Sequence, residues 1–556
     1  MDIHIPGNDT LVFEKVDHDG PHAILPKLLV ILSFFSMLAA LGFNYYAQAL
    51  MKSAKGSPGG TSPLKFLGFE QGRFGYRRAQ IKSFKEVRDV ILDGYNRLSA
   101  HGEPFLVALF GREPWVVLPS SVLKEISSKP ESVVDPREVR LDLMATKYLN
   151  SNPKVLAPNF PHNVVRLQLT RHLADIVDDV ADEMSCALQD QWGTDRDSWR
   201  SVSLYAAVMK IIGRSINRAF TQSPELYRNP AFLRASENFA QSRLRNAVVM
   251  NLVPEWLRTP LAVPLTYGYR RHLRTCQRYC VPVIEERTRH TIKKLQDRNY
   301  DWEPMHDALQ YFIDESLAQE DPEMRDPYIM TERLMMMNMV AVHSTSMSLI
   351  NTILDLNSSP DSAAYIERLR QEGAEARAGA GGNFNRVSLT QLVFLDSTIK
   401  ESMRLSDLLA VNVNRKIVDP AGLTLKDGLH LPFGTQICFP SSSVHHDPSI
   451  FAEPNKYNAF RYVEDEIQQG MIDPATNKKR VYSNKSLVRL SEDFLAFGHG
   501  KRACSGRFFA AQQMKLFLSY VVENYNIEPL AERPQNFSGF GSSIPMPNVE
   551  IRVRRR

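Results

Sequence analysis

The sequence contains few cysteines, and they stand far apart. Five occur among its 556 residues: Cys186, Cys276, Cys280, Cys438 and Cys504. Their odd number argues against a fully disulfide-bonded framework, and the paired spacing that a zinc site needs is missing. The chain therefore fits a reducing compartment, and neither a disulfide scaffold nor a structural zinc centre is expected.

The sequence also lacks a strong excess of one charge. Its formal net charge of +5 is modest for this length, and no basic run interleaved with aromatic residues stands out. This pattern argues against binding to nucleic acid and is compatible with docking an acidic protein partner. Hydrophobic residues make up 43% and charged residues 23% of the chain, so it can bury a large core in one domain or two.

One long apolar run near the N-terminus predicts a transmembrane anchor, within residues 24–50. Acidic residues precede this run and lysines and arginines follow it, which places the downstream chain in the cytosol and residues 1–23 in the lumen. A cleaved signal peptide is the alternative, but the run starts late and lacks a strongly basic segment before it. In the lumen, the sequon that starts at Asn8 would accept a glycan.

The remainder of the chain predicts a linker and a globular body. Residues 51–64 are rich in proline and glycine, so the body covers residues 65–556. Residues 105–110 and 115–118 are apolar, flank a glycine and an arginine, and predict a β-hairpin. Helical periodicity broken by prolines then dominates. The expected architecture is mainly α with small β-sheets.

A second long run, residues 334–356, is uncharged until Asp355 and could span a membrane by its length alone. Seven polar side chains interrupt it: Asn338, His343, Ser344, Thr345, Ser346, Ser348 and Asn351. It is too polar for lipid, so we predict a long helix through the protein interior.

A third helix is predicted around residue 395. Ser388 and Gln391 have the spacing of a capping box at its start, and an apolar stripe follows. Glu401 and Arg404 lie three residues apart on its other side and can form an ion pair. Such a pair is weak evidence by itself, because most are exposed.

Residues 497–506 carry the clearest chemical pattern. Gly498, Gly500 and Gly506 surround Cys504 and let the backbone turn tightly and approach a flat group closely. A helical pattern follows at once, so N–H groups and the helix dipole can stabilise an anionic sulfur. Arg502 adds a cation suited to a carboxylate. We predict a metal-bound thiolate; a buried free cysteine in a glycine-rich turn is the alternative.

Position for position, this segment resembles the haem-ligand signature of cytochromes P-450, which has phenylalanine, glycine, glycine, arginine, cysteine and glycine at fixed offsets. The resemblance implies the cytochrome P-450 fold, haem b (iron protoporphyrin IX) as cofactor, and Cys504 as the axial ligand of the haem iron. It also implies that Phe497, Gly498, Arg502 and Gly506 surround the haem.

The same resemblance assigns residues elsewhere. Arg461 maps onto the third member of a buried network with Glu401 and Arg404 that supports the haem-binding core. Three further residues match positions that commonly face the haem propionates: Arg166, Arg415 and His445. His162 stands where many members of the family have tryptophan. A solvated surface position is the alternative for the arginines.

The middle of the polar run resembles the oxygen-activating segment of the family, where a small residue, an acid or amide, and a threonine are usual. Ala341 leaves space for dioxygen, His343 replaces the acid, and Ser344 stands at the threonine position. The resemblance implies that Ser344, with Thr345 able to share its role, bonds dioxygen and relays protons. His343 can be a further relay because its ordinary pKa lies near physiological pH. A histidine bonded to a helix carbonyl is the alternative.

The resemblance implies a monooxygenase that inserts one oxygen atom from O2 into a C–H bond of a lipophilic small molecule. Electrons would arrive from NADPH through NADPH-cytochrome P-450 reductase, with cytochrome b5 as a further donor. The motifs are most similar to fungal members of specialised metabolism, which modify terpenoids, alkaloids or polyketides, and the anchor implies a single-pass protein of the endoplasmic reticulum membrane. The alternatives are an isomerase or dehydratase of the same fold that needs no external O2, and a membrane-tethered binding protein without enzymatic activity.

Overall fold

The computed structural model describes most of the predicted globular body. The described residues are 64–69, 75–109, 113–156, 160–253, 255–463 and 485–556. The predicted lumenal tail, the anchor, the sequon and nearly all of the linker lie outside them. Within the described part of the chain, no helix combines the length and the apolarity that a bilayer crossing requires.

α-Helices form most of this body. In chain order they are α1 (Gly75–Arg97), α2 (Leu123–Ser128), α3 (Pro136–Leu143), α4 (Thr146–Leu149), α5 (Phe160–Asn163), α6 (Val177–Trp192), α7 (Leu204–Thr221), α8 (Pro224–Tyr227), α9 (Pro230–Leu252), α10 (Glu255–Leu265), α11 (Tyr267–Gln296), α12 (Ala308–Leu317), α13 (Pro327–Asn357), α14 (Ser362–Ala378), α15 (Arg386–Gln391), α16 (Val393–Leu405), α17 (Ser441–His445) and α18 (Arg507–Asn524). A π-helical segment, Val164–Leu169, follows α5, and a short 3-10 turn, Gly500–Arg502, lies before α18.

The strands are short. They are β1 (Lys65–Leu67), β2 (Phe105–Val107), β3 (Trp115–Val117), β4 (Val134–Asp135), β5 (Arg200–Ser203), β6 (Asn412–Ile417), β7 (Leu423–Thr424), β8 (His430–Leu431), β9 (Gln436–Phe439), β10 (Tyr525–Ile527), β11 (Phe537–Gly539), β12 (Ser542–Ile544) and β13 (Glu550–Arg555). Six of them form the largest sheet, in the order β1-β2-β3-β9-β6-β4. β2 and β3 are antiparallel, with Phe105 opposite Val117, so the predicted hairpin is confirmed.

Helix α13 runs through the protein interior, as its polar sequence predicts. The Asp326 carboxylate caps it by accepting the Tyr328 N–H at 2.7 Å, and a proline occupies its first turn. It packs against α7, α11, α16 and α18. Several of its buried polar side chains bond inside the protein; Asn338, for example, donates to the Asn217 amide oxygen at 2.7 Å.

The helix predicted around residue 395 starts differently from the sequence pattern. Asn385 is the N-cap of α15 and exchanges two hydrogen bonds of 2.9 Å with Ser388, so Ser388 is the third helical residue and not the cap. The chain then breaks at Leu392, and α16 begins. Both carboxylate oxygens of Glu372, on α14, accept N–H groups from the first turn of α16, at 2.8 and 2.9 Å. This cap comes from another helix, which a local pattern cannot reveal.

Candidate active site

The cysteine loop is closed by its own backbone. The Cys504 N–H donates to the Phe497 carbonyl at 2.8 Å. Gly498 and Gly500 both have a φ of +73°, a conformation that side chains disfavour. A Cβ on Gly500 would also lie 2.8 Å from the Cβ of Ser127. Two of the three glycines are therefore needed for the turn itself and for its packing.

The other residues predicted around the haem lie at the ends of this loop. Phe497 is buried in the main hydrophobic core. Gly506 directly precedes α18, and a Cβ there would meet only Val165, at an ordinary distance of 3.9 Å. The protein around Gly506 therefore leaves room for a larger side chain at this position.

The Cys504 side chain is accessible and yet embedded. Cys504 is accessible to water, but the surrounding protein desolvates its thiol and raises the pKa of that thiol above the ordinary value. The N–H group of Gly506 and the charge and N–H group of Arg507 lower that pKa in part. The sulfur thus faces a recess inside the protein, at the start of α18, with donors placed to stabilise a thiolate.

A buried ion network lies on α16 and the loop after α17. Arg404 donates to both carboxylate oxygens of Glu401, at 2.8 and 2.9 Å, and Arg461 donates to one of them at 2.9 Å. Glu401 and Arg404 are fully buried. Arg404 also donates to the carbonyls of His445 and Pro454, at 2.5 and 2.8 Å. The structure thus brings together the three residues assigned to the network and bonds them to the connecting backbone.

His445 lies beside this network, which corrects its assignment to a propionate. Its Nε2 accepts the Leu495 N–H at 2.9 Å, and its Nδ1 lies 3.6 Å from an Asp407 carboxylate oxygen. The ring stacks on Phe494, with centroids 5.5 Å apart. Because α17 packs against α16, the ring is enclosed, and burial lowers its pKa. A neutral ring can accept from Leu495, so His445 supports the chain that leads into the cysteine loop.

The other residues assigned to propionates line one cavity of about 550 Å³. Arg166 comes from the π-helical segment, Arg415 from β6 and Arg502 from the 3-10 turn before Cys504. Arg415 is only 8% exposed, which excludes a solvated strand position. His162 lines the same cavity, and its Nε2 is buried without a hydrogen-bond partner among the described residues.

A further cation near this cavity, Arg140 of α3, was missed by the sequence reasoning. Burial and then the charge of Arg140 lower the pKa of Arg415 to about 10. Burial and then the charge of Arg502 lower the pKa of Arg140 and of His162. Glu131 pairs with Arg502 and offsets part of this charge. The surplus of buried positive charge favours an anionic ligand. No local motif marks Arg140, which belongs to an ordinary short helix.

One short stretch of α13 is exposed. Val340 is 61% exposed, although most of the helix is buried, and Ser344, one turn later, is exposed as well. Ala341 beside them is half-buried. The Ser344 hydroxyl donates to the Val340 carbonyl at 2.7 Å. Val340 and Ser344 therefore border open space, and Ala341 lies between them in the sequence.

His343 and Thr345 lie elsewhere. Thr345 is buried, unlike Ser344. His343 lines a second cavity of about 590 Å³ that α6, α7, α9 and α13 enclose. Its Nδ1 donates to the Met339 carbonyl at 3.0 Å. Because successive helical residues point about 100° apart, His343 and Ser344 do not share a face. The structure therefore divides the four residues assigned to oxygen activation.

Residues 408–412 and 540–545 match in position the segments that line the substrate cavity in cytochromes P-450, and they pair with each other. The Ala410 N–H donates to the Gly541 carbonyl at 2.7 Å, and the Ser543 N–H donates to the Leu408 carbonyl at 2.9 Å. The Phe540 ring, at the turn of the second segment, stays exposed. This pair of segments offers an apolar surface to a ligand.

These residues fit a haem. A haem needs a thiolate in a recess on one side, cations at its carboxylate edge and open space on its other side. Cys504 would hold the iron, and Arg166, Arg415 and Arg502, with the unpaired nitrogen of His162, would hold the propionates. The exposed stretch of α13 supplies the open space.

Known proteins resemble the chain over nearly its whole body. The family model described as "Cytochrome P450" matches residues 104–554. The chain is 34% identical over 500 residues to cytochrome P450 monooxygenase gloP of Glarea lozoyensis, covering 88% of this chain and 90% of that protein. It is also 34% identical over 475 residues to cytochrome P450 monooxygenase htyF of Aspergillus rugulosus, covering 84% and 68%.

Among solved structures, the chain is similar to the crystal structure of the cytochrome P450DA heme domain. The TM-score is 0.61, with 89% of this chain and 98% of that chain covered. The sequence identity is 14%, so this likeness concerns the fold alone.

Proposed function

The chain belongs to the cytochrome P450 family and is a haem-dependent monooxygenase, and on this premise we propose that it hydroxylates, in one step or several, a lipophilic secondary metabolite of a fungus. Terpenoids, alkaloids and polyketides are the substrate classes proposed. The observation that carries the proposal is the cysteine loop, which a hydrogen bond of 2.8 Å from the Cys504 N–H to the Phe497 carbonyl closes just before α18 begins. The fungal relatives support the source, and the exposed Phe540 supports an apolar substrate.

Each residue of the site has a proposed task. When bound, the haem activates O2 for insertion into a C–H bond. Cys504 binds as a thiolate, because two N–H groups and the start of α18 stabilise its charge. Arg166, Arg415 and Arg502 orient the group by charged hydrogen bonds to its carboxylates. The buried network of α16 keeps the cysteine loop in place.

Proton transfer is assigned to the two faces of α13. Ser344 holds a proton at its hydroxyl and, by rotating away from the Val340 carbonyl, can present it to the open space beside Ala341. His343 is proposed as a relay from water in the second cavity. Burial lowers its pKa, so it is neutral at physiological pH, and its bonded Nδ1 leaves Nε2 to accept a proton.

We also propose the cellular setting. NADPH-cytochrome P-450 reductase is the electron donor, with cytochrome b5 as a further donor, and residues 24–50 anchor the protein in the endoplasmic reticulum membrane. Residues 1–23 are then lumenal with Asn8 glycosylated, residues 51–64 are a linker, and residues 65–556 form the cytosolic catalytic domain. Exposed apolar side chains around α10, among them Trp256, Val263 and Tyr267, support contact with a lipid surface.

Reconstitution tests the proposed function. The full chain is produced in microsomes with a fungal reductase and supplied with apolar terpenoid, alkaloid and polyketide scaffolds under heavy-isotope dioxygen. We expect a product that carries the heavy oxygen and forms only with NADPH and reductase. Turnover without either would instead identify an isomerase or dehydratase, and the absence of any spectral change with reduced protein and carbon monoxide would contradict haem binding.

A further inference from the structure

A second group of metal-ligating side chains lies away from the haem site. His172, Asp175 and His306 each offer one ligand atom, and these three atoms lie within 4.8 Å of one another. His172 Nδ1 lies 2.8 Å from an Asp175 carboxylate oxygen, and the rings of His172 and His306 are nearly parallel, 5.8 Å apart. Two imidazoles and a carboxylate are a donor set that zinc prefers.

A buried phenol hydroxyl lies beside this group. Tyr311, whose ring lies 5.4 Å from that of His172, has a buried hydroxyl with no hydrogen-bond partner among the described residues.

We propose that His172, Asp175 and His306 bind one divalent transition-metal ion, zinc by preference, with water in the remaining position. In a tetrahedral site with bonds of 2.0–2.1 Å the ligand atoms are about 3.3–3.4 Å apart, so the widest separation must shorten by up to about 1.4 Å. The side chains are partly or fully exposed and can adjust by rotation. Hard cations such as Mg²⁺ favour oxygen ligands and are not expected to bind.

Such an ion would join an irregular segment of the chain to a helix. His172 and Asp175 lie in the turns between the π-helical segment, which carries Arg166, and α6. His306 immediately precedes the N-cap of α12, which packs against the π-helical segment. The metal would therefore hold the turns before α6 against the start of α12. Its role would be structural, because it lies away from the haem site.

The test is zinc titration of the full chain with its haem, after removal of any histidine tag and of bound metal with a chelator. Isothermal titration calorimetry is expected to show one tight zinc equivalent in the wild type and a rise in melting temperature with zinc. His172→Ala and His306→Ala should each lose at least about tenfold in affinity, since even the loss of an outer-shell partner has that effect. His306→Cys, which keeps a zinc ligand, should retain the site.

The control is His101→Ala, which removes an exposed histidine outside the group and should bind zinc like the wild type. If one alanine variant fails to fold with haem, the other alanine variant and Asp175→Asn still test whether these residues bind zinc. The proposal is overturned if the wild type binds no stoichiometric zinc, or if both alanine variants bind it as tightly as the wild type. Equal binding of Mg²⁺ and zinc would contradict the proposed ion.

Discussion

The two sides of the candidate haem site differ in how firmly their polar groups are held. On the cysteine side, Glu401 accepts from two arginines and His445 is enclosed between Asp407 and Leu495. On the α13 side, Ser344 is exposed and its hydroxyl donates to a carbonyl of its own helix. The cysteine side is built for a fixed ligand position, and the α13 side leaves a hydroxyl free to change partners. Substitutions should therefore affect stability and haem binding on the first side, and oxygen use on the second.

The largest effect is expected for Cys504→Ser. Without the thiolate, the reduced protein with carbon monoxide should lose the absorbance band after which the family is named. Difference spectroscopy measures this directly. Cys438→Ser, at a buried cysteine of β9, is the control and should keep the band. A retained band in Cys504→Ser would mean that another residue binds the iron.

The next effect is expected for Glu401→Gln. It leaves the buried Arg404 and the partly buried Arg461 without their carboxylate, and breaking a buried pair costs about 3–5 kcal/mol. Denaturant unfolding of the haem-bound protein should show this loss. Glu86→Gln, in the exposed pair with Lys82 on α1, should change stability by less than about 0.5 kcal/mol. Equal effects would show that the buried network does not support the cysteine side.

A smaller effect is expected for Arg415→Gln. Losing a charged hydrogen bond to a propionate costs about 1.5–3 kcal/mol, or roughly 10- to 150-fold in haem affinity. Transfer of haem to apomyoglobin measures that affinity. Lys416→Gln, the neighbouring residue of β6, should leave it unchanged. If Arg415→Gln binds haem as tightly as the wild type, the cavity that it lines does not hold the propionates.

A pH-dependent effect is expected at His445. Because burial lowers its pKa, the folded protein binds fewer protons there than the unfolded chain. Its stabilising contribution is present above the unfolded pKa of about 6.5 and is lost as the pH falls below that value. His445→Gln, which keeps an acceptor for Leu495 and cannot titrate, should weaken the dependence of unfolding on pH between about 7.5 and 5.5. An unchanged pH profile would contradict this role.

The smallest effect on stability is expected for Ser344→Ala. Only a bond within one helix turn is lost, so the free energy of unfolding should change by less than about 0.5 kcal/mol. Product formed per NADPH should nevertheless fall by about tenfold or more, with peroxide released instead, because a proton donor is missing. Thr345→Ala, at a buried position, should lower stability without this loss of coupling. If Thr345→Ala lost coupling and Ser344→Ala kept it, Thr345 and not Ser344 would be the proton relay.

Local patterns in the sequence predicted the parts of the site that lie close together in the chain. The cysteine loop closes within eight residues, between Phe497 and Cys504, and its glycines adopt the turn that they permit. Glu401 and Arg404 pair because they lie one helical turn apart. The polar character of residues 334–356 was enough to place α13 inside the protein. In each case the physical cause acts over a few residues.

Contacts between distant segments could not be predicted in this way. Arg140 lies near Arg415 and Arg502 only because α3 packs beside β6. Helix α16 is capped by Glu372, which belongs to another helix. His445 matched a position for a propionate contact, but the packing of α17 turned its ring towards Asp407. His343 and Ser344 are neighbours in sequence, and the helical twist sends them to different cavities.

By itself, the sequence determined the turn of the cysteine loop, the Glu401–Arg404 pair and the interior helix of this protein, because glycine conformation, helical spacing and polarity act locally. The tertiary structure alone decided which cations gather in the cavity of Arg415, where His445 lies, and which face of α13 is open. Those features depend on which helices pack together, and packing sums the burial of side chains that stand far apart in the chain.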